Sequence, residues 1–262
     1  MAEALSAIVG VKIKLESDVS HPETAWKLDV TDLPVATTLN RLPLIYPVSG
    51  IKRFYPKNQI SYLRNEIFVT PDEIFHPCYD FDFRNVMDTK EECQRGNEPY
   101  HRPYGWMRFA LKVKNKYADG NTWLGSCGWR NHSVSGEWPV SCHGTSLEGA
   151  QGISTSYYRA GPRDRFGRGI YSTPDLAVAI EYTKDKQFTS EMNGKTYKVI
   201  LQNRINPLER VIISERFDYV KNSYPENQYW LVEVPEGISD EEERRIVENA
   251  IRPYGVLIKE IM

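Results

Sequence analysis

Residues 138–148 read WPVSCHGTSLE, and the way this stretch is read decides the fold. Trp138 to His143 reads as a strand. Thr145-Ser-Leu-Glu148 then has the form of a capping box, with Thr145 as N-cap and Glu148 at the third helical position, so a helix starts there. His143 therefore stands where a strand ends and a helix begins. Gly144 follows it and has no side chain to hold a ligand away from the main chain. Taken alone, the stretch fits equally a histidine buried and hydrogen-bonded within the fold.

The next decisive stretch is FGRGIYS, residues 166–172. Two glycines flank Arg168 just before a second short strand, Gly169–Ser172. Their spacing matches neither the G-x-G-x-x-G of dinucleotide-binding folds nor a Walker loop, and a tight turn is the simpler use for them. Thr173 is a candidate cap for a second helix, with Pro174 at its first position and Leu176, Ala177 and Ile180 as its apolar face. Tyr182 falls near the end of that helix. Tyr171 and Tyr182, if brought together, would sandwich a flat heterocycle, with stacking worth about 0.5–1.5 kcal/mol per contact beyond burial. Packing in the core is the alternative.

Further strands are predicted at residues 197–202, 211–214 and 229–234. Ser239 and Glu242 form another capping box, followed by the apolar side Ile246, Val247, Ala250 and Ile251. Pro253 and Gly255 are expected to end that helix before a closing strand over 255–261. Trp106–Val113 fits a strand or a short helix. Many strands with a few short helices imply an α+β fold. The charged run at 240–245 (DEEERR) reads as a solvated helix start, its acids lying at the positive end of the helix dipole. Trp123, Trp129, Trp138 and Trp230 read as core or pocket walls.

The first hundred residues differ in texture. Strand-like runs at 8–15, 26–30 and 67–70 are broken by prolines, which argue against long helices and central strands. Residues 88–103 are polar and read as a loop or linker. These features set a boundary near residue 100, between an N-terminal extension (1–100) and a main domain (101–262). The extension's apolar runs need burial, so it is expected to pack on the main domain.

At 262 residues and 40% hydrophobic composition the chain can bury a sizeable core. A net charge of -2 gives no global attraction to nucleic acid or anionic lipid. The four cysteines, Cys78, Cys93, Cys127 and Cys142, contain no C-x-x-C pair and suit no zinc site. No signal-peptide core is visible, and no run approaches the roughly 20 apolar residues needed to cross a bilayer. The expectation is a reduced, intracellular protein, cytoplasmic or nuclear, monomeric, without membrane or metal.

Taken together, the ordered motifs resemble those of the PARP-like (diphtheria-toxin-like) ADP-ribosyltransferases. They are HGT on a strand, GRGIYS, a tyrosine eleven residues after the first, and a late strand, over roughly residues 138–262. The fragments GRGIYSTPD and VILQNRINP look like those of little-characterised eukaryotic members. The resemblance implies a fold of two packed, mostly antiparallel sheets with short helices. It implies NAD as co-substrate and transfer of a single ADP-ribose to a protein or nucleic-acid acceptor, with release of nicotinamide. His143 would hold a hydroxyl of the adenosine ribose, with Thr145 near it. Gly144 would bond the nicotinamide carboxamide through its backbone, and Tyr171 and Tyr182 would stack around the ring. Residues 158–169 would form a loop over the site, where Arg159, Arg163, Arg165 and Arg168 would grip the pyrophosphate or a nucleic-acid acceptor's phosphates, with Gly169 a further cofactor-binding candidate; a solvated charged loop is the alternative. Residues 1–100 would select the acceptor or buttress the sheet.

Two positions depart from the family pattern. A serine that bonds the carboxamide is replaced by Ala179. The catalytic glutamate of the late N-E-Y motif is replaced by Gln228, which hydrogen-bonds but carries no charge. Three explanations fit: a natural mono-transferase, a deliberate change from Glu, or an NAD-binding module without turnover. Glu226, two residues earlier, would share a strand face with Gln228 and is a candidate substitute carboxylate, or an exposed loop residue. An RNA 2'-phosphotransferase of the same superfold would need a second histidine where Tyr171 stands.

Overall fold

The computed structural model describes residues 74–84, 86–87, 91–161, 165–190, 194–215 and 227–261, and the backbone of three short strands nearer the N-terminus. Those three, β1 (Ile13–Leu15), β2 (Trp26–Asp29) and β3 (Glu66–Val69), pair antiparallel in a sheet of their own. Then follow β4 (Phe81–Asp82), β5 (Gln94–Arg95), β6 (Glu98–Pro99), β7 (Met107–Ala110), β8 (Val140–Gly144), α1 (Leu147–Thr155), β9 (Gly169–Ser172) and α2 (Leu176–Glu181). The chain continues through β10 (Phe188–Thr189), β11 (Thr196–Ile205), β12 (Val211–Glu215), β13 (Asn227–Glu233), α3 (Asp240–Ala250) and β14 (Ile251–Ile261). The fold is mixed, with mostly antiparallel sheets and few, short helices, as an α+β chain should be.

A six-stranded sheet is built on the long pair β11 and β14, extended from β14 by β7 and β4. The other side of β11 is shared, with β10 at its start and β8 at its end. A three-stranded sheet has the order β12-β13-β9. One bridge joins the two sheets: Cys142 and Thr173 exchange both backbone hydrogen bonds, at 2.7 and 3.0 Å.

Both faces of β11 are covered, which is why Val199, Ile200 and Leu201 in its middle form an apolar run rather than an alternation. Val199, Leu201 and Ile205 face a core shared with Ile153 of α1, Val247 of α3, and Ile170, Trp230 and Val232 of the smaller sheet. Ile200 faces the other way, with Cys142, Leu257 and Ala179 of α2. Burying each Ile or Leu fully contributes about 1.5–3 kcal/mol.

Several local expectations are corrected. Strand β8 stays paired with β11 through Gly144, so the chain turns one residue later than expected. Ser146, not Thr145, caps α1, accepting from the Gly149 amide at 3.1 Å. Thr173 is held extended by its bridge to Cys142, so Asp175 caps α2 instead, accepting from Ala177 at 2.7 Å. Ser239 does cap α3, but the Glu242 carboxylate turns to Arg245 at 3.2 Å. The 240–245 run is not wholly solvated, because Glu243 is buried.

Pro253 and Gly255 do not end α3. That helix stops at Ala250, and both residues lie inside β14. Proline is tolerated there because the ladder is broken by a bulge: Gln202 pairs with Gly255 and Asn203 with Pro253, leaving Tyr254 as the extra residue. Ile251 before the bulge and Val256 and Ile258 after it all reach the main core.

Nor is the polar stretch before residue 103 a linker. A two-residue turn at Gly96 (φ 60°) and Asn97 (φ 63°) makes a hairpin of β5 and β6, and Cys93, Arg95, Tyr100 and Arg102 around it are buried. Upstream, β4 pairs with β7, and Phe75 and Leu111 join the main core. Trp106–Val113 resolves into strand β7. Trp123 and Trp230 are core residues, but Trp129 is 51% exposed and stacks against Arg102 rather than in the interior.

Candidate functional site

The two sheets part just beyond the Cys142–Thr173 bridge. Peptide groups of a strand point alternately to its two sides. Those of Cys142 point to Thr173, those of His143 to β11, and those of Gly144 again away from β11, into the gap at the level of Tyr171. A side chain at residue 144 is ruled out by α2, since a Cβ there would lie 2.1 Å from the Ala179 carbonyl oxygen. Gly144 is buried, with helix α2 packed on one flank and its N–H and C=O turned away from β11.

His143 projects from the core face of β8. Its ring stands edge-on to Tyr158, with centroids 5.2 Å apart, and its Nδ1 lies 2.7 Å from the Tyr171 carbonyl oxygen. A carbonyl only accepts, so Nδ1 carries the proton, and in the neutral ring Nε2 keeps a lone pair. Burial pulls the imidazole below its ordinary pKa of 6.5; the Tyr171 carbonyl opposes this and Lys186 adds to it. The ring is neutral at pH 7. Its neighbour is fixed in turn: the Tyr158 hydroxyl donates to buried Asn203 at 2.7 Å, and burial holds that phenol protonated.

Tyr171 and Tyr182 belong to one aromatic group, but other rings link them. Tyr171 meets Phe166 at 6.4 Å, Phe166 meets Tyr229 at 6.4 Å, and Tyr229 meets Tyr182 edge-on at 6.3 Å. Tyr182 is 51% exposed, while the Tyr171 hydroxyl is tied to its own loop by Gly167 and Phe166. Phe166 and Tyr229 were not singled out from sequence, although one opens the FGRGIYS stretch and the other follows Gln228.

Gln228 is half-buried on β13, opposite Ser214. Strand alternation puts its side chain on the face of Trp230 and Val232, and Tyr229 on the other. The backbone at 228 therefore adjoins the aromatic group, and the amide side chain is directed to the core side of the sheet. Ala179 is 1% exposed and packs on Cys142 and Ile200. Thr145 is buried where the chain leaves β8. Glu226 and Arg163 lie outside the described residues.

Arg168 is used differently from the phosphate role expected for it. Its guanidinium donates to the carbonyls of Val234 and Pro235, at 3.0 and 2.6 Å, and to the Glu243 carboxylate at 3.0 Å. The buried Glu243 needs a cation, and Arg168 supplies it while pinning its loop to α3. Gly169 answers to packing as well, since a Cβ there would lie 2.2 Å from the Val232 oxygen. Burial, aided by Asp175, pushes the Cys142 thiol up to about 12 and so favours its protonated form. Among the described residues no group of three or more His, Cys, Asp or Glu could hold a metal ion, and no helix is long and apolar enough to cross a membrane.

No model of a known protein family matches the chain, and no curated protein matches it at a significant level.

Proposed function

We propose that the chain is an NAD-dependent mono-ADP-ribosyltransferase, with residues 101–262 forming a PARP-like catalytic domain. The observation that carries this reading is the neutral His143 beside the Gly144 peptide, which turns away from β11 where the sheets part, next to an aromatic group that holds Tyr171 and Tyr182. In this reading an adenosine ribose hydroxyl donates to His143 Nε2. The Gly144 peptide bonds the carboxamide, and the nicotinamide ring stacks in the aromatic group.

The bond between nicotinamide and the ribose C1' breaks and its electron pair leaves with nicotinamide. Positive charge grows on the ribose, and an acceptor nucleophile bonds C1' and gives up its proton. The work of the protein is to position the ribose and to stabilise that charge. Gln228 would hydrogen-bond the ribose 2'-hydroxyl without adding negative charge, which suits slow transfer of single units to a protein or nucleic-acid acceptor. A second reading, an NAD- or ADP-ribose-binding module without turnover, is favoured by the neutral Gln228 and by Ala179, which supplies no hydroxyl.

The test is nicotinamide release from NAD, with protein and nucleic-acid acceptors supplied, by the wild type and by Gln228→Glu. Release by either chain supports the transferase, and release by neither supports the silent module. His143→Ala should weaken NAD binding at least tenfold; unchanged affinity sinks the placement of the site. Affinity should be level above pH 6.5 and fall as His143 gains a proton below it. The same ring sets a stability trend: its folded pKa is depressed, so its contribution is complete above pH 6.5 and is lost as the pH falls.

A further inference from the structure

The face of the six-stranded sheet opposite the main core carries a second polar cluster. It gathers side chains from distant parts of the chain: Arg95 from the hairpin, Arg108 from β7, Gln202 and Arg204 from β11, and Tyr254 from the bulge in β14. The Arg95 guanidinium lies 5.0 Å from the Tyr100 ring centre, and those of Arg204 and Arg108 lie 5.4 and 5.8 Å from the Tyr254 ring centre.

The cluster is short of negative charge. Arg130 and Arg204 share Glu137, which is fully buried. Arg95 and Arg108 donate, among the described residues, to carbonyls: Arg95 to those of Gln94 and Arg130, and Arg108 to that of Tyr79. Among the described residues neither has a carboxylate within ion-pair distance. Arg130 and Arg204 thus share one carboxylate, while buried Arg95 and half-buried Arg108 touch none and Asp80 acts on Arg108 only from beyond ion-pair distance. An unpaired charge in such a setting is costly, and arginine does not shed its proton. Arg95 shows the strain, its charge disfavoured first by burial and then by Arg130 and Arg204.

Three polar atoms in the same cluster are buried without a partner: Arg108 Nε, Arg204 Nε and Gln202 Oε1. Gln202 and Arg204 are 1% and 5% exposed. The Gln202 amide touches the Tyr100 hydroxyl through Nε2 at 3.3 Å. The two ends of an amide exchange by rotation. Once exchanged, Tyr100 donates to Oε1, and Nε2 joins the two arginine Nε atoms as a third open donor.

We propose that Arg95, Arg108, Gln202 and Arg204, around the rings of Tyr100 and Tyr254, form a binding site for a phosphate-type oxyanion. The site lies on the opposite side of β8 and β11 from His143, and it does not depend on the reading of the cleft. Arginine Nε and amide N–H donors suit an anion with several acceptor oxygens.

The test is thermal unfolding of the full chain in rising inorganic phosphate, with chloride holding ionic strength constant. The melting temperature should rise saturably by about 2–4 °C at phosphate well above the dissociation constant. Arg108→Gln should abolish the rise, and His143→Ala should retain it. Gln202→Glu places a carboxylate among the guanidiniums, so it should melt above the wild type without phosphate and cease to respond to phosphate. A second arm replaces phosphate with a short oligothymidylate. Stabilisation by inorganic phosphate alone assigns a small free anion, and stabilisation by both assigns nucleic-acid backbone phosphates; either supports the site. No saturable rise in the wild type, or an equal rise in Arg108→Gln, overturns it.

Discussion

Two groups of arginines divide this molecule. Arg159, Arg165 and Arg168 stand close together in sequence, yet each is occupied separately in space. Arg159 meets Asp240, Arg165 lies over the Phe166 ring, and Arg168 meets Glu243. Arg95, Arg108, Arg130 and Arg204 are scattered over more than a hundred residues, yet gather about Tyr100, Tyr254 and Glu137, and only Arg130 and Arg204 pair with that carboxylate. Clustering along the chain suggested an anion site in the first group. Partners in three dimensions move that expectation to the second. Proximity in sequence says where charge begins, and the fold decides whether it is neutralised.

The largest effect should come from removing the one acid of the second group. Glu137 is held below the usual carboxylate range by Arg130, backbone amides and Arg204, although burial opposes them. Glu137→Gln should cost about 3–5 kcal/mol in urea unfolding, because it strands buried guanidiniums. A loss below 1 kcal/mol would show that the cluster is neutralised in another way. Since the Glu137 pKa is depressed, its contribution is complete above pH 4.5 and disappears as the pH falls.

A smaller effect belongs to Arg168→Met, which removes an ion pair and two carbonyl contacts. Stability should drop by about 2 kcal/mol, with NAD affinity changed less than about twofold, as read by calorimetry. A collapse of affinity with unchanged stability would return Arg168 to the phosphate role and erase the contrast. The smallest effect is that of Arg159→Ala. Arg159 and Asp240 are both well exposed, so the change should stay within about 0.5 kcal/mol by the same unfolding measurement.

Local patterns were legible where one rule acted alone. Gly169–Ser172, the helix after it and the strand expected over 197–202 follow directly from their residues, while the extension of that strand to Ile205 runs through Asn203 and Arg204, which do not read as strand core. Caps were misplaced by one or two positions at Thr145 and Thr173 because strand pairing runs on through Gly144 and a bridge to Cys142 holds Thr173 extended, and tertiary pairing is not written in a four-residue window. The Gly96-Asn97 turn was written in the sequence as a hairpin signal, but the polarity around it masked it, since the buried Arg95 and Arg102 look like surface residues until their carbonyl partners are known. In the candidate site, His143, Gly144 and the two tyrosines were legible as motifs. Phe166 and Tyr229 were not, because only the fold brings a loop, a helix end and a late strand to one aromatic group.

Tyr254 also changes what a deletion would mean. As the extra residue of the bulge, it reverses the in-and-out order of β14 halfway along, so that Ile251 and the pair Val256 and Ile258 all reach one core. Losing that single residue would remove the bulge without shifting the ladder: Pro253 and Gly255 would follow one another opposite Asn203 and Gln202, and every downstream side chain would keep its face. A one-codon deletion at a paired position of β14 would in effect be a frameshift in three dimensions, whereas at Tyr254 the strand absorbs it and loses only the ring.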